Sequence, residues 1–161
     1  AKFSPIMDAL IYECKKGKNI IGICNGFQIL LEANLLEGAL INNKGVKFVS
    51  KQISLNAINY NTNFTNKIPI NKDLVMPIAH RQGNYRASSE LMKKLEDNNQ
   101  IAFKYSSKMG GNPNGSSSDI AGILNEKRNV LGMMPHPERA SEKLLGSNDG
   151  LYIFQSMIAG L

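Results

Sequence analysis

The stretch Asn19-Ile20-Ile21-Gly22-Ile23-Cys24-Asn25-Gly26-Phe27-Gln28 decides the fold, because it reads as a strand, a sharp turn and the start of a helix. Residues 19–23 form a short apolar, β-branched run that is typical of a buried strand. Good helix formers follow from residue 27 to residue 32. Cys24 therefore lies at a strand-to-helix turn between two glycines, which is the nucleophile-elbow pattern with cysteine in place of serine.

Two features of this turn are expected to serve a nucleophile. A strained turn brings neighbouring backbone close, and residues without a Cβ, here Gly22 and Gly26, fit there. The following helix is expected to direct its free N–H groups and positive dipole end at Cys24, which favours thiolate over thiol. The alternative is a buried core cysteine, since free cysteine is among the most buried residue types.

A second motif, residues 132–139, supplies partners for this cysteine. It follows another short apolar run, and its two prolines favour extended backbone. Residues two apart in extended chain project to the same side, so Glu138 is expected to accept a hydrogen bond from one nitrogen of His136. The other nitrogen then faces a thiol, as the base of a cysteine nucleophile must.

The alternatives for these two residues are structural ones. His136 among prolines can be a solvated loop residue, and Glu138 can be the acid that opens a helix over residues 138–145. Taken with an elbow cysteine in a chain of two histidines, the catalytic triad Cys24–His136–Glu138 is the favoured interpretation.

Residues 22–30 (Gly-Ile-Cys-Asn-Gly-Phe-Gln-Ile-Leu) and 133–139 (Met-Met-Pro-His-Pro-Glu-Arg) resemble the class I glutamine amidotransferases. More narrowly, the Asn-Gly-Phe-Gln and Pro-His-Pro-Glu-Arg strings are similar to the glutaminase subunits of phosphoribosylformylglycinamidine synthases. The resemblance covers essentially the whole chain. Four further segments carry it: 98–103, 112–116, 119–122 and 145–151.

The resemblance implies an α/β fold of the flavodoxin-like, three-layer class I glutamine amidotransferase type, with a mostly parallel central sheet. Residues 1–161 are expected to form one domain, the C-terminal portion of the full family domain. By resemblance, the missing part holds the first strands and a glycine-rich loop that supplies a second oxyanion-hole N–H. Nothing in the 161 residues matches that loop, so an N-terminally incomplete fold is expected.

The resemblance also implies a reaction. The Cys24 thiolate attacks the side-chain amide of glutamine, and the backbone N–H of Asn25 holds the resulting oxyanion. His136 protonates the departing ammonia and then activates the water that hydrolyses the γ-glutamyl thioester, while Glu138 orients His136. Four residues are expected to contact glutamine: Gln28, Asn114, Gly115 and Ser116.

The partners implied are a large synthase subunit and a small bridging subunit. The large subunit uses ATP and Mg²⁺ to convert formylglycinamide ribonucleotide to formylglycinamidine ribonucleotide, so no cofactor is expected in this chain. Two alternatives stay open: the glutaminase domain of a different class I amidotransferase, and an inactive fragment that keeps only the fold and the partner surface. One departure from the family lies at Arg81-Gln82, where the family usually has Gly-Glu.

Composition agrees with a cytoplasmic enzyme domain. The net charge is +6, but the lysines are scattered and no nucleic-acid motif is present, so a solvated or partner-facing basic surface is expected. The histidines and cysteines lack the spacing of a metal site. Two cysteines, one of them a candidate nucleophile, indicate a reducing compartment. No apolar run has membrane-spanning length, and no signal peptide is recognised.

Periodicity and capping residues predict the remaining elements. Helices are expected at 5–16, from the elbow to about 36, at 88–95 and at 149–158. Strands are expected within 47–60 and at 74–79, 101–105, 120–124 and 130–134, the last two as a hairpin. In the first helix Ile6, Ala9, Leu10 and Cys14 are expected to face the core, and in the last helix Leu151, Phe154 and Ile158.

Overall fold

A computed structural model describes residues 4–160 of the chain. The described residues fold into helices and strands that alternate over the first third of the chain. The helices are α1 Pro5–Lys15, α2 Asn25–Glu32, α3 Ser89–Asp97 and α4 Leu151–Ala159. The strands are β1 Ile20–Ile23, β2 Ala39–Asn42, β3 Val49–Ala57, β4 Asp73–His80, β5 Gln82–Arg86, β6 Ile101–Tyr105, β7 Ile120–Leu124 and β8 Val130–Met133.

Six of these strands form the central sheet, in the order β1-β8-β7-β6-β3-β4. The β1–β8 pair is parallel, and the other four neighbouring pairs in the described residues are antiparallel. The expectation of a mostly parallel sheet therefore holds for the elbow strand and its neighbour and is wrong for the rest. One reason is chain connectivity at β7 and β8, because the short loop of residues 125–129 joins them and a loop of that length connects only antiparallel strands.

The core lies on both faces of this sheet. Adjacent residues of one strand enter different clusters, as Val130 and Leu131 do, because side chains alternate along a strand. One cluster packs the sheet against α1, α2 and α3 through Cys14, Phe27 and Leu95 among others. The other packs the opposite face against α4. The described residues thus form helix, sheet and helix layers, so the predicted α/β, three-layer class is confirmed.

Two predicted strands are confirmed to the residue. The strands Ile101–Tyr105 and Ile120–Leu124 have the expected limits, and β7 and β8 form the expected antiparallel hairpin. Asn125 stabilises the hairpin loop, since its side-chain Oδ1 accepts hydrogen bonds from the N–H groups of Asn129 and Val130 at 3.0 Å each. Ser88 caps α3, accepting from the N–H of Leu91 at 3.2 Å.

The faces of two helices differ from the prediction. In α4, Ile153 and Ser156 are buried while Ile158 is 70% exposed, so the expected inward face is wrong. The Ser156 hydroxyl accepts from the N–H of Lys67 and donates to the carbonyl of Tyr152, which lets a polar residue take an inward position. In α1, Cys14 is buried as expected, but Met7 rather than Ile6 packs inward.

A small second sheet of β2 and β5 was not predicted. Its strands are short and lack a two-residue hydrophobic period. Tyr85 fixes this sheet to α2: its ring stacks on Phe27 with centroids 5.9 Å apart, and its hydroxyl donates to the carbonyl of Glu37 at 2.7 Å. The segment that follows β4 is thereby held beside the start of α2. Within residues 4–160, no helix has the length and apolar character needed to cross a membrane.

Candidate active site

Cys24 lies where β1 ends and α2 begins, with φ 52° and ψ −105°. A non-glycine residue adopts this backbone conformation only when surrounding structure enforces it. Here the Cys24 N–H donates to the carbonyl of Met133 in β8 at 2.8 Å, and its carbonyl accepts from the N–H of Gln28 at 3.3 Å. The elbow predicted from the sequence is present, and it is anchored to a strand on one side and a helix on the other.

The two glycines of the elbow differ in their surroundings. A Cβ added at Gly22 would lie 2.7 Å from the carbonyl oxygen of Gly26 and would overlap the side chain of Leu30. Gly22 thus permits the close approach that was expected. A Cβ at Gly26 would meet no described atom within 4 Å, so the steric role predicted for Gly26 is wrong for the described part of the chain.

His136 reaches the same edge of the sheet as Cys24, because it follows β8 and β8 pairs with β1 in parallel. The register places Ile23 opposite Met133, so both chains leave the sheet at one point. The N–H of His136 donates to the carbonyl of Pro77 at 2.9 Å. His136 is 6% exposed, which excludes the alternative of a solvated loop residue.

Glu138 lies against His136, with 2.6 Å between Nδ1 and Oε1. The expected hydrogen bond is therefore present, with Nδ1–H donating to the carboxylate. The Nε2 atom of His136 is buried and has no hydrogen-bond partner among the described residues, which leaves its lone pair free for a proton. Residues 137–140 form one turn of 3₁₀ helix, so the alternative helix over 138–145 is not formed.

Burial raises the pKa of the Cys24 thiol, and this outweighs the N–H of Asn25 and the charge of Arg139, which lower it. The charge of Glu138 raises that pKa slightly further. The helix N-terminus acts in the expected direction through Asn25, but the expectation that thiolate is favoured is wrong for these surroundings. At neutral pH Cys24 is a thiol, so its activation requires a base.

A cavity of about 340 Å³ opens beside the sulfur. Six residues line it: Cys24, Asn25, Gln28, His80, Arg81 and Gln82. Gln28 lines it, and the Gln28 side-chain amide donates to the Glu32 carboxylate at 3.0 Å. The backbone N–H of Asn25 donates a hydrogen bond to the Cys24 sulfur. The same N–H is therefore within reach of an oxyanion on a carbon that is bonded to this sulfur. The elbow residues predicted for substrate contact therefore do share one cavity.

His80 belongs to this site and was not predicted as a functional residue. Asn43 holds it: the Asn43 amide nitrogen donates to the carbonyls of Lys47 and His80, so its oxygen faces His80 Nδ1 at 3.0 Å and accepts from it. The Nε2 atom of His80 carries the lone pair and has no described partner. Burial, followed by the charge of His136, lowers the pKa of His80 to about 4.

A sequence signal for His80 existed. It is one of two histidines in the chain, it ends a strand, and it directly precedes Arg81-Gln82, where the sequence departs from the family. What the sequence does not show is that Asn43, 37 residues away, meets it.

Asn114, Gly115 and Ser116, predicted to contact glutamine, do not line this cavity. The Asn114 side chain donates to the carbonyl of Gly83 at 2.7 Å and to the Tyr105 hydroxyl at 3.0 Å. The Ser116 hydroxyl accepts from the N–H of Tyr85 at 3.1 Å. The polar side chains of Asn114 and Ser116 therefore bind groups of β5 and β6 and stabilise β5. None of the three residues lines the cavity beside Cys24.

The described residues contain no group of three or more His, Cys, Asp or Glu side chains that could hold a metal ion. The reactive groups that line or adjoin the cavity are a thiol, an imidazole with its carboxylate, and a backbone N–H. This set suits acyl transfer through a thioester.

The sequence model of the CobB/CobQ-like glutamine amidotransferase domain matches residues 4–150. The chain belongs to this family. The predictions of a class I glutamine amidotransferase and of its fold are thereby confirmed. A glutamine amidotransferase with a cysteine at an elbow and a histidine–carboxylate pair opposite it has the parts that glutamine hydrolysis needs.

Individual relatives show which members of the family the chain resembles. The chain is 51% identical over 166 residues to phosphoribosylformylglycinamidine synthase subunit PurQ of Chlorobaculum tepidum, covering 100% of this chain and 71% of the relative. It is 49% identical over 166 residues to the subunit of the same name in Chlorobaculum parvum, covering 100% of this chain and 66% of that protein.

Solved structures of other proteins have a fold similar to that of this chain. A chain in the structure of PurLQS from Thermotoga maritima superposes with a TM-score of 0.87 at 39% identity, covering 99% of this amidotransferase and 69% of that chain. A glutamine amidotransferase from the same organism matches with a TM-score of 0.52 at 19% identity, covering 83% of this chain and 46% of the other. The second likeness shows a common fold alone.

Proposed function

We propose that this chain is the glutaminase subunit of a phosphoribosylformylglycinamidine synthase. It hydrolyses glutamine to glutamate and ammonia, and the ammonia passes to a synthase subunit that converts formylglycinamide ribonucleotide to formylglycinamidine ribonucleotide in purine biosynthesis. The observation that carries the proposal is the 51% identity to subunit PurQ over the whole chain. The gathering of Cys24, His136 and Glu138 at one edge of the sheet supports it.

In the first step, the Cys24 thiol transfers its proton to Nε2 of His136 as the sulfur attacks the amide carbon of glutamine. That nitrogen is free to accept, since Nδ1–H is engaged by Glu138. The Asn25 N–H donates to the oxygen of the tetrahedral intermediate. Glu138 holds the ring in this tautomer and stabilises the imidazolium that forms.

In the second step, His136 returns the proton to the amide nitrogen, and the carbon–nitrogen bond breaks to give ammonia and a γ-glutamyl thioester on Cys24. Water then enters, gives a proton to His136 and adds to the thioester carbon. Glutamate leaves, and the proton on His136 returns to the sulfur, which restores the starting thiol.

Ammonia is useful only as long as it stays unprotonated, because ammonium has no lone pair with which to attack. We therefore propose direct transfer to a large synthase subunit, assembled with a small bridging subunit. ATP and Mg²⁺ act in the large subunit, and this chain needs no cofactor of its own. The likeness to a chain of the PurLQS structure supports this assembly.

The proposal includes a location and a domain organisation. A cysteine that must stay a free thiol favours the reducing cytoplasm, and both Cys14 and Cys24 are free. A single domain over residues 1–161 is supported by the central sheet, which both core clusters of the described residues share.

The test is amination of formylglycinamide ribonucleotide by the complex of this protein with the synthase subunits of the same organism. Glutamine and ammonium chloride are compared as nitrogen sources. A Cys24→Ser variant should lose glutamine-dependent product and keep ammonia-dependent product. Cys14→Ser is the matched control and should keep both, because Cys14 is a buried core residue.

Two outcomes would contradict the proposal. One is glutamine-dependent synthesis that survives Cys24→Ser. The other is glutamine hydrolysis by the wild-type protein that supports a different ATP-dependent synthase and not this one, which would indicate another amidotransferase of the class.

A further inference from the structure

The cavity beside Cys24 contains a cation to which the reaction steps above give no role. Of the six residues that line the cavity, Arg81 alone is charged at neutral pH, since burial keeps His80 neutral. We propose that Arg81 binds the α-carboxylate of the substrate and so selects glutamine, as a free amino acid, from other primary amides. This inference rests on the glutaminase function proposed above.

Arg81 is available for a ligand. Within residues 4–160 the ion pairs involve other cations, and Arg81 forms none of them. The other arginine near the sulfur, Arg139, lies 3.5 Å from the Glu138 carboxylate and does not line the cavity. An anion that enters the cavity therefore finds Arg81 as its unpaired cation.

The backbone that carries Arg81 is fixed at three points by one residue. The Asn43 N–H donates to the carbonyl of Arg81 at 2.9 Å, and its side-chain amide donates to the carbonyl of His80 at 2.9 Å. The Asn43 side-chain oxygen accepts from the N–H of Gly83 at 3.1 Å. Arg81 thus begins from a defined position between β4 and β5, although its side chain is exposed.

The chemistry of glutamine matches this position. Arg81 is exposed and lines the same cavity as Cys24. With the amide carbon at the sulfur, the methylene groups of glutamine extend the α-carboxylate across this cavity, and the proposal assigns that carboxylate to Arg81. A guanidinium forms two parallel hydrogen bonds with a carboxylate, and an ammonium group of lysine does not. Primary amides without this carboxylate would occupy the same cavity without that contact.

The test compares Arg81→Gln, Arg81→Lys and the matched control Arg86→Gln in the assembled complex. Arg86 is an exposed arginine at the far end of β5 and does not line the cavity. Arg81→Gln should raise KM for glutamine by about tenfold, the effect of one charge-assisted contact at an exposed site, with kcat changed by less than about twofold. Arg81→Lys should recover part of the loss, and Arg86→Gln should equal wild type.

A second readout needs neither turnover nor the partner. Cys24 is alkylated by a chloroketone analogue of glutamine, which keeps the α-carboxylate, and in parallel by iodoacetamide, which lacks it. Arg81→Gln should slow the chloroketone by about tenfold and leave iodoacetamide unchanged, so the ratio of the two rates falls. Intact mass and peptide mapping assign each adduct to Cys24 or Cys14.

The outcomes separate the two proposals. If the wild-type complex hydrolyses glutamine but Arg81→Gln changes neither the KM for glutamine nor the ratio of the two alkylation rates, the role of Arg81 is overturned and the proposed function stands. If Arg81→Gln changes only the degree to which the synthase subunit activates glutamine hydrolysis, the role of Arg81 in substrate binding is also overturned. That result would indicate that Arg81 contacts the partner. Absence of glutamine hydrolysis by the wild-type complex would overturn the proposed function itself.

Discussion

Cys24 and His136 depend on each other because of where the fold places the sulfur. Burial raises the pKa of the thiol, and the Asn25 N–H only partly offsets this. A buried thiol is a poor nucleophile at neutral pH, so the base must take its proton during the attack. The free Nε2 of His136, whose other nitrogen is engaged by Glu138, fits this requirement.

This dependence predicts the pH profile of alkylation in a Cys14→Ser background, where Cys24 is the remaining thiol. Replacing His136 by Gln should slow iodoacetamide at pH 7 by about a hundredfold, because no general base remains. Since thiolate reacts and the pKa of Cys24 is raised, the rate in the variant should keep rising with pH beyond the ordinary thiol value. A profile that levels off below that value would contradict the raised pKa.

His80 predicts an effect on stability with a defined sign. Its pKa falls from 6.5 to about 4 on folding, so the folded protein resists a proton that the unfolded chain accepts. The stability that depends on neutral His80 is present above pH 6.5 and is lost as pH falls toward 4, by on the order of 3 kcal/mol. The groups that set this shift are the buried surroundings and the charge of His136.

Urea unfolding of the wild-type protein and of His80→Gln at pH 7, 5.5 and 4 measures this effect. The variant lacks the titrating group, so its free energy of unfolding should fall less across that range, whatever its stability at pH 7. Equal losses in the two proteins would show that His80 does not carry the acid sensitivity.

At the scale of elements, the elbow depends on how closely α2 approaches β1. A Gly22→Ala substitution places a methyl group 2.7 Å from the Gly26 carbonyl oxygen and against Leu30, so β1 and α2 must separate. We expect a loss of about 1–3 kcal/mol in the free energy of unfolding, together with slower labelling of Cys24 by the chloroketone. Calorimetry or urea unfolding, with intact-mass labelling, provides the measurement.

Gly26→Ala is the matched control for this prediction. The added methyl group meets no described atom within 4 Å and lies in the first turn of α2, where alanine is the better helix former. The variant should be as stable as wild type or slightly more stable. If both substitutions destabilise equally, the close approach at Gly22 is not what constrains the elbow.

Elements with a clear period or cap were predictable, and elements that exist only through tertiary contacts were not. The strands at 101–105 and 120–124 carry continuous apolar runs and were placed correctly. Strands β2 and β5 have no such period; they form because Tyr85 packs on Phe27 and Ser116 accepts from the Tyr85 N–H.

The site residues also fall into those that local sequence predicts and those whose position depends on tertiary contacts. Cys24, His136 and Glu138 are recognisable from local spacing, and the elbow and the His136–Glu138 hydrogen bond that spacing predicts are present. The loop of residues 114–116 has the composition of a ligand loop, but its polar groups satisfy buried partners on Gly83 and Tyr105. Only the fold reveals which polar residues of a Gly/Asn/Ser loop turn inward.

At the scale of the whole molecule, the activity of the site is expected to depend on assembly with the synthase. An amidotransferase that hydrolysed glutamine without its synthase would waste it, so full activity is expected only in the complex. We expect the isolated protein to hydrolyse glutamine more slowly than the complex, because binding of the synthase subunits shifts the protein toward its active conformation. Glutamate production is measured with and without the synthase subunits, and Cys24→Ser gives the background. Equal turnover in both samples would contradict this expectation and would show that the partner serves only to receive ammonia.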